Sequence, residues 1–281
     1  MAKKKKTGVE ELLEKNGNGF HSRVVNQLRE QTWTVQVSPY YSDNFTDKPR
    51  EIDIIAERVF QVREVFDQFL GIMKVRLFVE CKYVLGDTVF WFDGKDDAAA
   101  RRHVLHISGT SEPNDLIVQG YHYLDSVPVA KLFASEKGRE DNEWMSRAIN
   151  QILNALVYYR NKSDIIPHRD HVQVLHRISF PIIVVNSFEN FYKMDMSTPD
   201  APPVKITEPF QLEVNYAYKD EENKPRDEYF LIDVVSFDTL LAHLTVIEQR
   251  DITSVMGRLQ WDARMREANN QRRSSGNNSN R

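Results

Sequence analysis

Charge embedded in two short apolar strings constrains this chain more than any other feature. The strings are Glu51-Ile52-Asp53-Ile54-Ile55 and Phe78-Val79-Glu80-Cys81-Lys82. Both have the apolar character of strands, whose side chains alternate between faces with a period of two. Glu80 and Lys82 therefore share one face, and Val79 and Cys81 share the other. If the two strands pair, Asp53 joins Glu80 and Lys82 in one cluster. Burying charge is costly unless it is paired or binds something, so the cluster predicts a site. A lone Glu-X-Lys on a strand is ordinarily an exposed ion pair; the preceding Ile-Asp-Ile-Ile string sets this one apart.

The surrounding pattern predicts an α/β protein with a mixed central sheet flanked by helices. Phe20, Val24, Val25 and Leu28 follow helical spacing and define a first core helix. Alternation predicts a strand over 32–37, a loop over 39–44, and strands over 51–56 and 74–83. The span 58–71 is long for a hairpin tip, so these strands either extend or carry a small excursion. Met145, Ala148, Ile152, Ala155, Leu156 and Tyr159 form the stripe of a second core helix over 143–160. A buried strand follows over 178–186, with Pro181 as an irregularity. Strands over 210–218 and 229–235 flank a polar turn, and a closing helix over 236–249 is capped by Ser236 or Asp238.

With 281 residues, 41% of them hydrophobic and 11% aromatic, the chain can fill one large core or two modest ones. One domain is expected over 19–262, containing an insertion at 84–142 that mixes a strand-like piece at 89–92 with glycines and acids. Residues 1–18 read as a charged flexible start, with a short helix available at 10–15. The Asn-, Arg- and Ser-rich residues 263–281 read as a disordered tail.

Cys81 is the sole cysteine, which excludes an intramolecular disulfide framework and a zinc site built from several thiolates. It fits a reducing, cytoplasmic compartment. No apolar stretch follows Lys3 to Lys6, so no secretory signal is expected. Apolar runs such as 180–185 are far below the roughly 20 residues needed to span a bilayer. The net charge of −4 does not suggest a phosphate binder, although Lys3 to Lys6, Arg101-Arg102 and Arg272-Arg273 offer local basic groups.

Two carboxylates a few ångströms apart repel, and a hard dication such as Mg²⁺ relieves that repulsion while keeping positions for phosphate oxygens. Asp53, Glu80 and the main-chain carbonyl of Cys81 are the expected ligands. Lys82 would orient or help deprotonate an attacking water and offset developing negative charge. The Cys81 thiol, facing the core, is expected to be inert. His168 and His171 lack a third ligand nearby in sequence, and Trp91, Tyr121 and Tyr123 read more readily as core than as stacking platforms.

An acidic residue on one strand followed by Glu-X-Lys on the next resembles the PD-(D/E)XK, or restriction-endonuclease-like, nuclease superfamily. The element order over residues 20–190 is also similar. The strings look particularly like the branch containing Mrr-type restriction endonucleases and related defence nucleases. The resemblance implies a restriction-endonuclease-like three-layer core with extra C-terminal strands and a helix. It also implies a Mg²⁺- or Mn²⁺-dependent endonuclease acting on DNA in restriction or phage defence, with a homodimer to cut both strands. Asp53, Glu80 and Lys82 take the catalytic positions. Some relatives carry an acidic residue early in the first helix, where this chain offers His21, with Glu10 or Glu11 as other candidates. Gln151 is the nearest match to a Gln that several relatives carry on the second helix. A catalytically inactive or partner-activated nucleic-acid-binding module and an RNA-cleaving nuclease are the alternatives on the same fold.

Overall fold

A computed structural model describes residues 17–63, 67–108, 120–135, 143–160, 162, 174–220 and 222–278, with 143 and 266–278 as main chain alone. The expected short helix at 10–15, the basic run Lys3 to Lys6, Glu10, Glu11, His168 and His171 lie outside these residues. Helix α1 spans Asn18–Glu30 and buries the Phe20, Val24, Val25 and Leu28 stripe. It leads into strand β1 (Thr34–Val37), which pairs antiparallel with β4 (Ile54–Arg63). Strand β4 in turn pairs antiparallel with β5 (Phe69–Lys82). The span 58–71 is strand extension in its described residues: β4 continues to Arg63 and β5 begins at Phe69, the two pairing as one long antiparallel ribbon.

The region expected as a loop at 39–44 instead contains β2 (Tyr40–Ser42), paired with β3 (Pro49–Glu51) in a separate two-stranded sheet. Turn-forming residues around Pro39 and Asn44 hide this short pairing from a periodicity reading. Its consequence is local. Glu51 closes β3 and Asp53 lies in a bend, so the expected strand at 51–56 is divided just before Ile54.

Residues 84–142 contribute to the main sheet. Strand β6 (Thr88–Asp93) pairs antiparallel with β7 (Val129–Ser135), and helix α2 (Asp97–Ile107) lies between them in sequence. The Asp96 side chain caps α2 by accepting from the Ala99 N–H at 2.8 Å. Helix α3 (Glu143–Tyr159) precedes β8 (Val174–Val185), which runs parallel to β5. Further strands β9 (Phe191–Asp195), β10 (Val204–Lys205), β11 (Phe210–Lys219) and β12 (Pro225–Ser236) complete a ten-stranded mixed sheet. Its order is β1-β4-β5-β8-β12-β11-β7-β6-β9-β10.

Helices cover both faces of this sheet, as each apolar face requires. The face bearing Leu77, Val79 and Ile182 packs against α1, α2 and the C-terminal helical segment. The opposite face, bearing Phe78, Ile183 and Phe230, packs against the Met145, Ala148, Ile152 and Leu156 stripe of α3. That C-terminal segment comprises α4 (Leu240–Val246), a π-helical stretch (Ile247–Ile252) and α5 (Thr253–Asn278). It opens where Ser236 and Thr239 form a capping box, the Ser236 N–H donating to Thr239 Oγ1 at 3.1 Å. Where the polar composition predicts a disordered tail, the main chain is helical through Asn278. Ala, Met, Glu, Gln and Arg within 258–272 favour helix and account for the difference. Among the described residues, no helix is long and apolar enough to cross a membrane.

Candidate functional site

The β4–β5 register places Ile54 opposite Val79, so Asp53 stands beside Glu80 where the ribbon meets the small β2–β3 sheet. Alternation along β5 turns Glu80 and Lys82 to the α3 side of the sheet, while Cys81 packs with the opposite core. Asp53, Glu80 and Lys82 come together as the two strings predict, with Asp53 offered from a bend.

Side chain and main chain interlock between the two strings. The Cys81 N–H donates to Asp53 Oδ2 at 2.8 Å, and the Asp53 N–H donates to Glu80 Oε1 at 3.2 Å. Lys82 Nζ donates to Glu80 Oε2 at 2.6 Å. Glu80 is fully buried, whereas the Lys82 side chain keeps 19% of its surface exposed. Burial pushes the Glu80 carboxyl up to about 8; the Lys82 ammonium opposes that rise and the Asp53 carboxylate adds to it. Burial also raises the Cys81 thiol well above its ordinary value, with Asp53 and Glu80 adding to the effect. A protonated, core-facing thiol is a poor nucleophile.

The two auxiliary candidates touch main chain around Asp53. His21, on α1, places Nε2 3.1 Å from the Asp53 carbonyl oxygen, which also accepts from the Ser38 N–H at 2.8 Å. Gln151, on α3, donates from Nε2 to the Glu51 carbonyl at 2.9 Å. Both hold the bend that presents Asp53. Tyr121 and Tyr123 are fully buried, in keeping with their reading as core.

An oxygen-rich donor set faces this corner. Asp53 Oδ1 carries no hydrogen bond among the described residues, and each Glu80 oxygen retains a lone pair beyond its single bond. In a strand, the N–H and C=O of one residue face the same neighbour, so the Cys81 carbonyl is turned toward the edge its N–H shares with Asp53. Two carboxylates and a carbonyl are hard ligands that fit Mg²⁺ or Mn²⁺.

A second group of ionisable side chains escaped the sequence reading. His122, Asp233 and His243 are buried together, with their ligating atoms within 4.8 Å of one another. They come from a 3-10 turn (His122–Leu124), β12 and α4, so no sequence spacing joins them. One signal was present: Asp233 interrupts the apolar run Leu231-Ile232-Asp233-Val234-Val235 much as Glu80 interrupts its own. A cavity of about 840 Å³ is lined in part by all three residues, and its lining includes none of Asp53, Glu80 and Lys82.

No protein-family model matches this chain, and neither a search of curated proteins nor one of solved structures finds a match.

Proposed function

We propose that this chain is a metal-dependent nuclease of the PD-(D/E)XK type, hydrolysing phosphodiester bonds in DNA with Asp53, Glu80 and Lys82 as its catalytic set. The observation that carries the reading is the convergence of these side chains at the ends of paired strands. Each carboxylate accepts from the other string's main chain, and Lys82 lies 2.6 Å from Glu80. Supporting it is the order α1, β1, β4, β5, α3, β8, with β8 parallel to β5, which follows the helix, three strands, helix and strand of that superfamily.

Asp53, Glu80 and the Cys81 carbonyl would hold Mg²⁺ or Mn²⁺, which supplies Lewis acidity at a phosphoryl oxygen and acidifies water. The protein's own groups do the positioning. The Cys81 N–H fixes Asp53 Oδ2 and leaves Oδ1 without a hydrogen bond among the described residues. Glu80 holds the Lys82 ammonium at the partly exposed rim, where it orients water and offsets charge that develops on the phosphate. His21 and Gln151 act through main chain and are positioning residues for the Asp53 bend.

The Mrr-like resemblance of the two strings assigns the activity to restriction or phage defence, where a homodimer would cut both strands. Purified protein with supercoiled plasmid, single-stranded DNA and RNA, in Mg²⁺, Mn²⁺ or EDTA, tests the proposal. Metal-dependent DNA cleavage that Asp53→Ala and Lys82→Ala both abolish is the expected result. Cleavage of RNA alone would transfer the site to RNA processing. Binding without cutting by all three proteins would identify an inactive or partner-activated module.

A further inference from the structure

We infer that His122, Asp233 and His243 form a second metal site, selective for a borderline transition-metal dication such as Zn²⁺ and open on one side to the 840 Å³ cavity. The inference is independent of the nuclease reading, because it rests on other residues in another part of the sheet.

Its geometry centres on one oxygen. Asp233 Oδ2 lies 3.1 Å from His122 Nε2 and 3.2 Å from His243 Nε2. Tetrahedral coordination with bonds of about 2.0–2.1 Å places neighbouring ligand atoms about 3.3 Å apart, so both edges already match. The rings of His122 and His243 are nearly perpendicular, with centroids 5.4 Å apart, and do not compete for the same volume. All three residues are more than nine-tenths buried.

The outer contacts are those of a metal centre. A histidine ligand usually donates its other ring N–H to a carboxylate, which fixes tautomer and orientation. Asp251 supplies that carboxylate: Oδ2 binds His122 Nδ1, and Oδ1 accepts from the His122 main-chain N–H at 2.9 Å. Asp251 comes from the π-helical stretch between α4 and α5, a distortion frequent at functional sites. The Asp233 carboxylate is held in turn by the Tyr123 hydroxyl, which donates to Oδ2 at 2.8 Å.

His243 distinguishes this group from an ordinary buried ion pair. Its Nε2 is inaccessible to solvent and faces Asp233 Oδ2 at 3.2 Å, close enough to lower the Asp233 carboxyl but without a well-aligned hydrogen bond to any described residue. Orphaned buried polar atoms are rare and costly. A cation bound to this nitrogen, to Asp233 and to His122 Nε2 satisfies all three at once, taking the place of the proton that His122 otherwise shares with Asp233. Two nitrogens and one oxygen suit Zn²⁺ better than Mg²⁺. Three protein ligands beside a cavity describe a site with a position left for solvent or a small ligand.

The test uses full-length, tag-free protein carrying Asp53→Asn, which removes a ligand from the first site. After loading with Zn²⁺ and exhaustive dialysis, metal analysis is expected to find about one Zn²⁺ per chain. His243→Ala and Asp233→Asn in the same background should lose it. Asp251→Asn should retain the site with about 10–100-fold weaker affinity. Co²⁺ loading of the Asp53→Asn protein, which needs no change in the cluster, should give the intense visible absorption of a four-coordinate ion. Failure to retain Zn²⁺, retention unaltered by His243→Ala, or the weak absorption of six-coordinate Co²⁺ would each overturn the inference.

Discussion

The Glu80 carboxylate reaches across the strand pair to the main chain of Asp53, accepting its N–H at 3.2 Å. This contact exists because Asp53 lies in a bend, where its N–H is not committed to the β4–β5 ladder. A fully buried carboxyl raised to about 8 costs stability as pH rises above its unfolded value of about 4.5, because the folded state must keep a proton that the unfolded state has released. Glu80→Gln keeps an acceptor for the Asp53 N–H and removes that cost. It should raise Tm in metal-free buffer at neutral pH by a few degrees, while plasmid cleavage falls by about 10²-fold or more. Thermal unfolding and cleavage assays on the same preparation check both. A large drop in Tm would show that Glu80 is a structural acid.

A different buried charge holds the ribbon together. Glu57 on β4 is fully buried and accepts from Arg76 Nε on β5 at 2.8 Å, with Lys74 Nζ 3.8 Å away. Removing one member of a buried charged group typically costs about 3–5 kcal/mol. Glu57→Ala should therefore lower Tm by roughly 6–20 °C. Differential scanning calorimetry gives the answer; a shift of only a degree or two would mean that water reaches this cluster.

Acid stability should depend on Glu228. Burial alone would raise its carboxyl, but hydrogen bonds from His106, Arg160 and Tyr218, with the charge of Arg160, bring it down to about 2. A depressed carboxylate contributes stability above its unfolded value of about 4.5, and that contribution is lost as pH falls through the folded value. The gain is on the order of 3 kcal/mol at neutral pH. Glu228→Gln should lower Tm clearly at pH 7, and the gap from wild type should narrow steadily between pH 4.5 and 2. A gap that stays constant with pH would rule out the ionic contribution.

Legibility in the sequence followed the range of the interaction. Asp53, Glu80 and Lys82 are connected by one hairpin, so the period of two within each string was enough to place them together. The α1 and α3 stripes were legible for the same local reason. His122, Asp233 and His243 are joined only through the crossovers of a ten-stranded sheet, and no window of sequence contains two chemically suggestive members at ligand spacing. The β2–β3 pairing was hidden by turn-forming neighbours. The place of 84–142 in the sheet was hidden because β6 and β7 pair across a helix and depend on β9 and β11, far along the chain, for their remaining partners.

His103 on α2 supplies a core with no polar partner. It is fully buried, burial pushes its imidazole down to about 3, and neither ring nitrogen has a hydrogen bond among the described residues. Its ring meets Tyr123 and Phe230 edge-on at 5.0 and 5.8 Å between centroids. A neutral imidazole there leaves one donor and one acceptor unsatisfied, each costing about 1–3 kcal/mol. Leucine is close to histidine in volume and has no polar atom to desolvate. His103→Leu should therefore unfold at a higher temperature than wild type, with an increment that grows as pH falls from 8 to 5, because the unfolded imidazole takes up a proton near 6.5 while the folded one stays neutral. Thermal melts at three pH values decide the matter: a lower Tm would mean that the imidazole has an internal partner such as a buried water, and an increment that stayed flat toward pH 5 would mean that the folded imidazole takes up its proton as readily as the unfolded one.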